Sequence, residues 1–303
     1  MPSPDDVRRA TAGLSGRIRR TPVFEVDGLG LLKLELLQRS GSFKARGATW
    51  QLLNRVDDAR ALGAVAASGG NFGIATADAA ALLAVPATIF VGSTIAPAKI
   101  DRLRSVGAEV EVIEGGYFEA QQAATERAAA SGALLLHPYD DEHMVAGNGS
   151  MAVEIEEDVP DVDTIVVAAG GGGLLAGVLA WVTDRVHVVA VETTGTATLA
   201  AALVAGEPVH VDGSGLCRDS LSPGLIGRLG WEAVQRWSPT SVVVSDDAVA
   251  DAQRRLWSTC RLAAEPGGAC ALAALTSGGW EPPVGSRTVV VVCGSNVDVA
   301  SVV

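Results

Sequence analysis

The sequence is poor in positive charge. Its 303 residues include 23 lysines and arginines against 35 aspartates and glutamates, which gives a formal net charge of −12 at pH 7. Proteins bind nucleic acids and anionic membrane surfaces through clusters of lysine and arginine. The charge balance therefore predicts no nucleic acid and no membrane among the partners, and we expect a small molecule instead.

Cysteine, histidine and long apolar runs are also scarce. The four cysteines form no C-x-x-C pair and the four histidines no H-E-x-x-H pattern, so neither a disulfide framework nor a metal site is predicted. No apolar run approaches the ~18 residues of a membrane-spanning helix. The polar N-terminal segment MPSPDDVRRATAGLSGRIRR lacks the apolar core of a signal peptide, so we expect a cytoplasmic protein.

Short β-branched segments alternate with longer segments rich in alanine and leucine. The pattern predicts strands over residues 63–67, 87–91, 109–113, 133–137, 164–168, 187–192, 241–245 and 288–293, and helices over residues 72–83, 98–106, 118–130, 173–184 and 246–261. These strands are continuously apolar, as in sheets that helices cover on both faces. The alternation favours βαβ units and an α/β fold with mostly parallel sheets.

Four of the predicted strands lie between residues 53 and 137 and are enough for a compact unit of their own. We expect a small domain over residues 53–137, inserted into a large domain made of residues 1–52 and 138–303. Ligands of open parallel sheets lie beyond the carboxyl ends of the strands, in the loops that follow them. Residues 206–240, rich in glycine and proline, are expected to form loops and short helices over such a site.

Three glycine-rich loops follow predicted strands. They are residues 68–73 (SGGNFG), 170–174 (GGGGL) and 293–296 (CGSN). Consecutive glycines let backbone N–H groups converge on an anion at a helix N-terminus, so the tetraglycine segment is a candidate phosphate site. By itself the segment is equally well explained as a tight turn that lets a helix pack on the sheet. No Walker-type pattern is present, and no dinucleotide-binding pattern fits well.

The segment around Lys44 gives the most specific signal. A lone lysine in a run such as Ser-Gly-Ser-Phe-Lys44-Ala-Arg-Gly is ordinarily a surface residue at the start of a helix. The run resembles, however, the cofactor-binding lysine motif of the fold-type II pyridoxal-phosphate enzymes. That group includes threonine/serine dehydratases, serine racemase and the tryptophan synthase β family. Five further segments resemble its motifs in the same order: residues 68–73, 137–149 (HPYDDEHMVAGNG), 170–174, 265–269 (EPGGA) and 293–296.

The resemblance implies two α/β domains, each an open, mostly parallel sheet flanked by helices, with pyridoxal 5'-phosphate in the cleft between them and the small domain mobile. Lys44 is then the catalytic residue and holds the cofactor through its amine. The other cofactor-binding residues that the resemblance implies are Phe43, Asn71, Gly170, Gly171, Gly172, Gly173, Leu174, Gly215, Glu265 and Cys293. The implied substrate-binding residues are Ser68, Gly69, Gly70 and Asn71.

The resemblance also implies individual roles. The tetraglycine segment holds the cofactor phosphate, Phe43 packs near the ring, and Asn71 bonds the phenolic oxygen. Gly215 and Glu265 line the ring face and the amine side. Cys293 faces the pyridine nitrogen, where a neutral thiol leaves that nitrogen largely unprotonated; this suits elimination of a β-substituent better than transamination.

The sequence departs from the group's motifs at four positions. Gly69 replaces the serine that serves as an acid or base in the racemases, which argues against racemisation. Phe72 replaces a histidine, and Asn148 replaces a glutamine. The group's divalent-cation site pairs a glutamate with an aspartate six residues later; Glu192 is present, but Thr198 replaces the aspartate. We therefore expect no metal, with Glu192 as a ligand only if a cation is bound.

These features predict a pyridoxal-phosphate-dependent ammonia-lyase that converts L-threonine or L-serine to a 2-oxo acid and ammonia. Alternatives on the same fold are a serine racemase, a β-replacement enzyme and a dehydratase for a specialised amino acid such as hydroxyaspartate. A non-catalytic binding protein is a further alternative, which the presence of Lys44 and the tetraglycine segment disfavours. From the resemblance we also expect a homodimer.

Overall fold

The strands of the protein form two separate sheets. The structure, a computed structural model, describes residues 1–301. Its strands are β1 (Val23–Val26), β2 (Gly30–Lys33), β3 (Ala64–Ala67), β4 (Ala87–Gly92), β5 (Glu109–Ile113), β6 (Leu134–Leu135), β7 (Thr164–Ala168), β8 (His187–Thr193), β9 (Thr240–Val244) and β10 (Thr288–Val291). Its helices are α1 (Pro4–Leu14), α2 (Lys44–Leu53), α3 (Val56–Leu62), α4 (Asn71–Leu83), α5 (Pro97–Ser105), α6 (Tyr117–Ser131), α7 (Glu142–Asp158), α8 (Gly173–Val182), α9 (Thr198–Ala205), α10 (Arg218–Leu221), α11 (Arg228–Trp237), α12 (Asp246–Cys260) and α13 (Pro266–Thr276).

The larger sheet has six strands in the order β1-β2-β10-β7-β8-β9, and the smaller has four in the order β5-β4-β3-β6. Neighbouring strands run parallel except β1 and β2, which form an antiparallel hairpin. The predicted α/β class with mostly parallel sheets is confirmed. The smaller sheet uses only strands between residues 64 and 135, whereas the proposed domain boundaries and the mobility of the small domain stay a prediction.

Because the central strands are buried on both faces, the sequence pattern predicts them. Every residue of β3 and of β7 is buried, so each strand is a continuous apolar run. The sequence pattern does not predict the β1–β2 hairpin, because Phe24 and Glu25 are exposed and neither strand exceeds four residues. Over residues 1–301, no helix has both the length and the apolar character needed to cross a membrane.

Glycines allow α2, α7 and α8 to pack closely together. A Cβ atom added to Gly149 in α7 would lie 2.7 Å from the carbonyl oxygen of Gly177 in α8. One added to Gly147 would lie 2.8 Å from the carbonyl oxygen of Arg46 in α2. Glycine lowers the intrinsic stability of a helix by about 1 kcal/mol relative to alanine. Packing against its neighbours therefore outweighs propensity in α7, which is why the sequence pattern does not predict this helix.

A buried ion network joins α2 to α7 and to the chain after β2. The Arg46 guanidinium donates to both carboxylate oxygens of Glu35, at 2.8 and 2.7 Å, and to both of Glu154, at 2.8 Å each. Lys33 adds a bond of 2.7 Å to Glu154. Two positive and two negative side chains thus meet in a region almost closed to solvent. Each charge is compensated, which an interior position requires.

We expect Arg46→Met to lower the free energy of unfolding by about 3–5 kcal/mol, because it leaves the Glu35 and Glu154 carboxylates buried without their partner. Urea denaturation of the cofactor-free protein measures the change. The control is Arg20→Met, which removes a surface arginine that pairs with Glu157 and Asp158 and should cost about 0–1 kcal/mol. Equal, small losses in both variants would contradict the importance of the network.

Candidate active site

A cleft of about 340 Å³ lies where the chain leaves β3 of the smaller sheet and β7 and β10 of the larger one. The three glycine-rich loops therefore meet, although they are far apart in sequence. The structure brings to this cleft the following sequence-predicted residues: Phe43, Lys44, Ser68, Gly69, Gly70, Asn71, Gly170, Gly171, Gly172, Gly173, Leu174, Glu265 and Cys293.

The structure does not bring Gly215 to the cleft. Gly215 is exposed, its φ is +73°, and an added Cβ would overlap the carboxylate of Asp246. The neighbouring Leu216 N–H donates to that carboxylate at 2.7 Å, so this turn closes over the start of α12. The expectation that Gly215 lines the ring face is corrected: residues 219–223, which include most of α10, line the cleft from this part of the chain.

Three parts of the cleft wall were not assigned from the sequence. Residues 219–223 fall in the region expected to form loops over a site, but nothing in their composition indicates which of them reach it. Tyr139 lies inside the HPYDD segment, so that motif was a usable signal. Tyr117, the first residue of α6, has no sequence signal because only the packing of the smaller sheet carries it to the cleft.

The tetraglycine loop presents its N–H groups to the cleft. Its four carbonyl oxygens each accept a hydrogen bond from protein groups: in order, the Thr198 hydroxyl at 3.1 Å, the Gly227 N–H at 3.1 Å, the Ala176 N–H at 2.8 Å and the Asn148 side-chain amide at 3.2 Å. The N–H groups of residues 171–175, by contrast, have no acceptor within the described chain. Five successive free donors at the N-terminus of α8 suit an anion such as phosphate.

Close packing requires glycine in this loop. A Cβ added to Gly171 would lie 2.5 Å from the Tyr139 ring. Gly172 has a φ of +84°, a conformation that side chains other than glycine rarely adopt. The loop is thus both a tight packing turn and an anion cradle, and a side chain here would disturb the apoprotein as well as the cradle.

Lys44 is the first residue of α2, and its side chain points along the cleft wall. Its Nζ donates to the Pro138 carbonyl oxygen at 2.6 Å and lies 5.0 Å from the centre of the Phe43 ring. Burial lowers the pKa of Lys44 to about 8, because the protein replaces the water that would solvate the charged form. A larger fraction of the lysine is therefore neutral near pH 7 than at the ordinary pKa, and a nucleophile or base requires the neutral form.

Asn71 connects the first glycine-rich loop to the third and to Glu265, the residue before α13. The Asn71 side-chain amide donates to Glu265, and its carbonyl oxygen accepts a bond of 2.7 Å from Asn296. Burial raises the pKa of Glu265 to about 7, although the bond from Asn71 opposes the shift. Glu265 can therefore exchange a proton near neutrality, and Asn71 is held in a fixed orientation.

Cys293 remains a thiol in this environment. Burial raises its pKa well above the ordinary range, and its Sγ lies 3.3 Å from the Gly267 carbonyl oxygen, to which it donates. A buried thiol of this kind is neutral and unreactive. The side chain therefore offers a neutral partner, not a charged one, to a group bound in the cleft.

Glu192 lies outside the cleft wall and is fully buried. Its carboxylate accepts the N–H groups of Leu199 at 2.7 Å and Ala200 at 2.9 Å, at the start of α9. Burial raises its pKa to about 7, against the effect of these bonds. Among the residues that the structure describes, no three histidine, cysteine, aspartate or glutamate side chains are grouped to hold a metal.

Known proteins resemble this chain over nearly its whole length. The family described as pyridoxal-phosphate dependent enzyme matches residues 14–294. The L-threonine ammonia-lyase of Thermotoga maritima is 34% identical over 306 aligned positions, which cover 97% of this chain and 76% of that protein. The phenylserine dehydratase of Ralstonia pickettii is 36% identical over 306 positions, covering 96% and 94%. The structure of maize serine racemase has a TM-score of 0.92 at 28% identity, covering 99% and 95%.

The family match includes Lys44, all three glycine-rich loops up to residue 294 and both sheets. The resemblance read from the Lys44 segment is therefore confirmed, and the cofactor of the family is pyridoxal phosphate. The free N–H groups of residues 171–175 and the Lys44 amine give the cleft the two features that this cofactor needs. The chain belongs to the family of pyridoxal-phosphate dependent enzymes.

Proposed function

We propose that the protein is an ammonia-lyase that removes the β-hydroxyl group and the amine of a small β-hydroxy amino acid, L-threonine or L-serine, to give a 2-oxo acid and ammonia. The observation that carries the proposal is Lys44, an amine with its pKa lowered to about 8, in one cleft with the free N–H groups of residues 171–175. The 34% identity to an L-threonine ammonia-lyase supports this reaction.

Different residues of the cleft bind different parts of the cofactor. The backbone N–H groups of residues 171–175 would hold the phosphate of the cofactor, and Phe43, Asn71 and Cys293 would contact its ring. The bound cofactor supplies an electron sink for the pair left behind when the α-proton is removed. Glu265 orients Asn71 by accepting its amide.

The loop of residues 68–70 leads into the N-terminus of α4 and binds the substrate carboxylate. Ile74 is the first residue of this helix whose N–H bonds back to the loop, at the Gly70 carbonyl, so the preceding N–H groups are free for a ligand. The helix dipole favours an anion at this end. The Ser68 hydroxyl accepts the Gly70 N–H at 3.2 Å and so keeps the loop in shape.

Lys44 moves the proton. Its Nζ is the basic group of the cleft that would accept the α-proton of a bound substrate. At a pKa of about 8, about a tenth of the lysine is neutral at pH 7, compared with about 1 in 3,000 at the ordinary 10.5. The lowered pKa thus increases the fraction of Lys44 that is in the neutral, basic form at pH 7.

The cleft favours an uncharged substrate side chain. Four aromatic residues line it, namely Phe43, Phe72, Tyr117 and Tyr139. Lys44 is the single basic residue among the described lining residues, whereas two acids, Asp219 and Glu265, are present. A dicarboxylic substrate such as hydroxyaspartate would find no second cation. A β-aryl serine is the second candidate substrate, favoured by the aromatic lining and by the 36% identity to a phenylserine dehydratase.

We also propose that residues 53–137 move as one unit to open the cleft, and that the protein is a cytoplasmic homodimer that binds no nucleic acid. Two ion pairs link that unit to the rest of the chain: Arg39 with Asp78, at 2.8 Å, and Lys99 with Asp219, at 2.7 Å.

The cytoplasmic location is supported by the four cysteines, which are all free, as is usual in a reducing compartment. The homodimer is inferred from the resemblance to the group.

Release of 2-oxo acid from a panel of L-threonine, L-serine, β-phenylserine and 3-hydroxyaspartate tests the reaction. We expect turnover of the first two or of the aryl substrate and none of 3-hydroxyaspartate. Lys44→Ala should lower turnover by at least about 10²-fold, because it removes the base. Arg127→Ala, which removes an exposed basic side chain of α6 that does not line the cleft, is the control and should stay within a few-fold. Full activity of Lys44→Ala, or no oxo acid from any of the panel, would refute the proposal.

The rate at which the apoprotein takes up pyridoxal phosphate should depend on the ionisation of Lys44. Only the neutral amine attacks the cofactor, so we expect the rate to rise about tenfold per pH unit and to level off above about pH 8. Stopped-flow absorbance measures it, with N-α-acetyl-lysine as the control whose rate keeps rising to about pH 10.5. A protein rate that still climbs steeply at pH 9.5 would show that Lys44 has an ordinary pKa.

Elimination without racemisation is expected, because racemisation needs a second acid or base on the face opposite Lys44. Gly69 offers no side chain, and an added Cβ there would overlap the Cδ1 atom of Ile95. Chiral chromatography after incubation with L-serine should show pyruvate but no D-serine. The double variant Gly69→Ser, Ile95→Ala should form some D-serine, and Gly69→Ser alone less, since Ile95 fills the space. D-serine formed by the unaltered enzyme as fast as pyruvate would contradict the assignment.

A further inference from the structure

A single hydroxyl group links the phosphate cradle to a buried carboxylate. The Thr198 Oγ1, at the start of α9, lies 3.1 Å from the Gly170 carbonyl oxygen and 3.2 Å from Glu192 Oε1. Both Thr198 and Glu192 are buried, so solvent does not compete for these bonds. The hydroxyl has one proton to give, and both acceptors lie within hydrogen-bond distance of it.

The direction of the Gly170 carbonyl determines the direction of a phosphate donor. In a planar trans peptide, the oxygen of one residue and the N–H of the next point in opposite directions. The bond from Thr198 holds the Gly170 oxygen away from the cleft, so it turns the Gly171 N–H toward it. The Asn148 amide acts in the same way at the other end of the loop, where it binds the Gly173 oxygen at 3.2 Å.

The residues at this position do not fit a divalent cation. The motif of the group that the sequence resembles has a second carboxylate at the position where this chain has the neutral Thr198. Both oxygens of Glu192 already accept backbone N–H groups, from Leu199 and Ala200. A hard cation prefers several charged oxygen ligands. Three donors, on Thr198, Leu199 and Ala200, already occupy most of the lone pairs of Glu192, and no second carboxylate is grouped with it among the described residues.

We propose that Thr198 is a positioning residue that aims the tetraglycine loop at the cofactor phosphate, and that hydrogen bonds within the protein do this without a cation. Glu192 anchors α9 through its backbone N–H groups, α9 carries Thr198, and Thr198 fixes the Gly170 carbonyl. The inference rests on the proposed assignment of residues 171–175 to the phosphate.

Equilibrium binding to the apoprotein tests the role of the hydroxyl, with pyridoxal phosphate and with pyridoxal, which lacks the phosphate. Thr198→Val keeps the size of the side chain and removes the hydroxyl, and Thr198→Ser keeps the hydroxyl. We expect Thr198→Val to weaken pyridoxal phosphate about three- to tenfold, the effect of one hydrogen bond, with pyridoxal unchanged. Thr198→Ser should bind both within twofold of the unaltered protein.

Two outcomes of this experiment would overturn the proposal. One is an unchanged affinity of Thr198→Val for pyridoxal phosphate. The other is an equal loss for pyridoxal phosphate and pyridoxal, which would indicate general damage to the cleft. No substrate is present, so the result does not depend on the reaction. If residues 171–175 do not hold the phosphate, the unaltered protein itself should bind the two compounds alike, which separates a wrong site assignment from a wrong role for Thr198.

The unaltered protein provides a second test that needs no variant to fold. Its affinity for pyridoxal phosphate should be the same within twofold in EDTA, in MgCl₂ and in CaCl₂. An affinity that falls severalfold in EDTA and returns with either cation would overturn the proposal, because a cation would then orient the loop.

Discussion

The buried contacts of Arg46 with Glu35 and Glu154 fix the helix that carries Lys44. A charge in the interior is stable only where its partners meet it, so α2 is confined to the orientation that brings the guanidinium to both carboxylates. Residues two apart on a helix point in nearly opposite directions. With Arg46 directed into the interior, Lys44 on the same first turns is directed to the cleft, where its amine meets the Pro138 carbonyl.

The phosphate cradle likewise depends on hydrogen bonds that fix the orientation of polar groups, in this case those of the backbone. Each carbonyl of the tetraglycine loop is bonded to a group away from the cleft, and the free N–H groups are left on the cleft side. The loop requires glycine because the Tyr139 ring and the neighbouring backbone occupy the space that a side chain would need. The carbonyl groups, which would be costly if buried alone, are satisfied by the protein, and the N–H groups on the other side are free for a ligand.

Burial also sets the charge of the cleft. It shifts Lys44, Glu265 and Cys293 toward their neutral forms, whichever sign of charge each would carry in water. The cleft therefore carries less charge than the same residues would carry in water, although most of the Lys44 amine is still protonated at pH 7. Backbone N–H groups at the starts of α4 and α8 have no acceptor in the described chain, and such groups suit anions without an arginine or a further lysine. An acidic protein can therefore still offer anion sites in this cleft.

The sequence by itself determined the α/β class, eight of the ten strands and most of the cleft. Strands buried on both faces appear as continuous apolar runs, and the glycine loops and the Lys44 segment keep a fixed order along the chain. Only the tertiary structure decided where Gly215, Tyr117 and Ile95 lie. Their positions follow from the approach of elements distant in sequence, such as the packing of Gly215 on α12. Local patterns record how a segment folds, whereas such contacts depend on which surfaces the whole chain brings together.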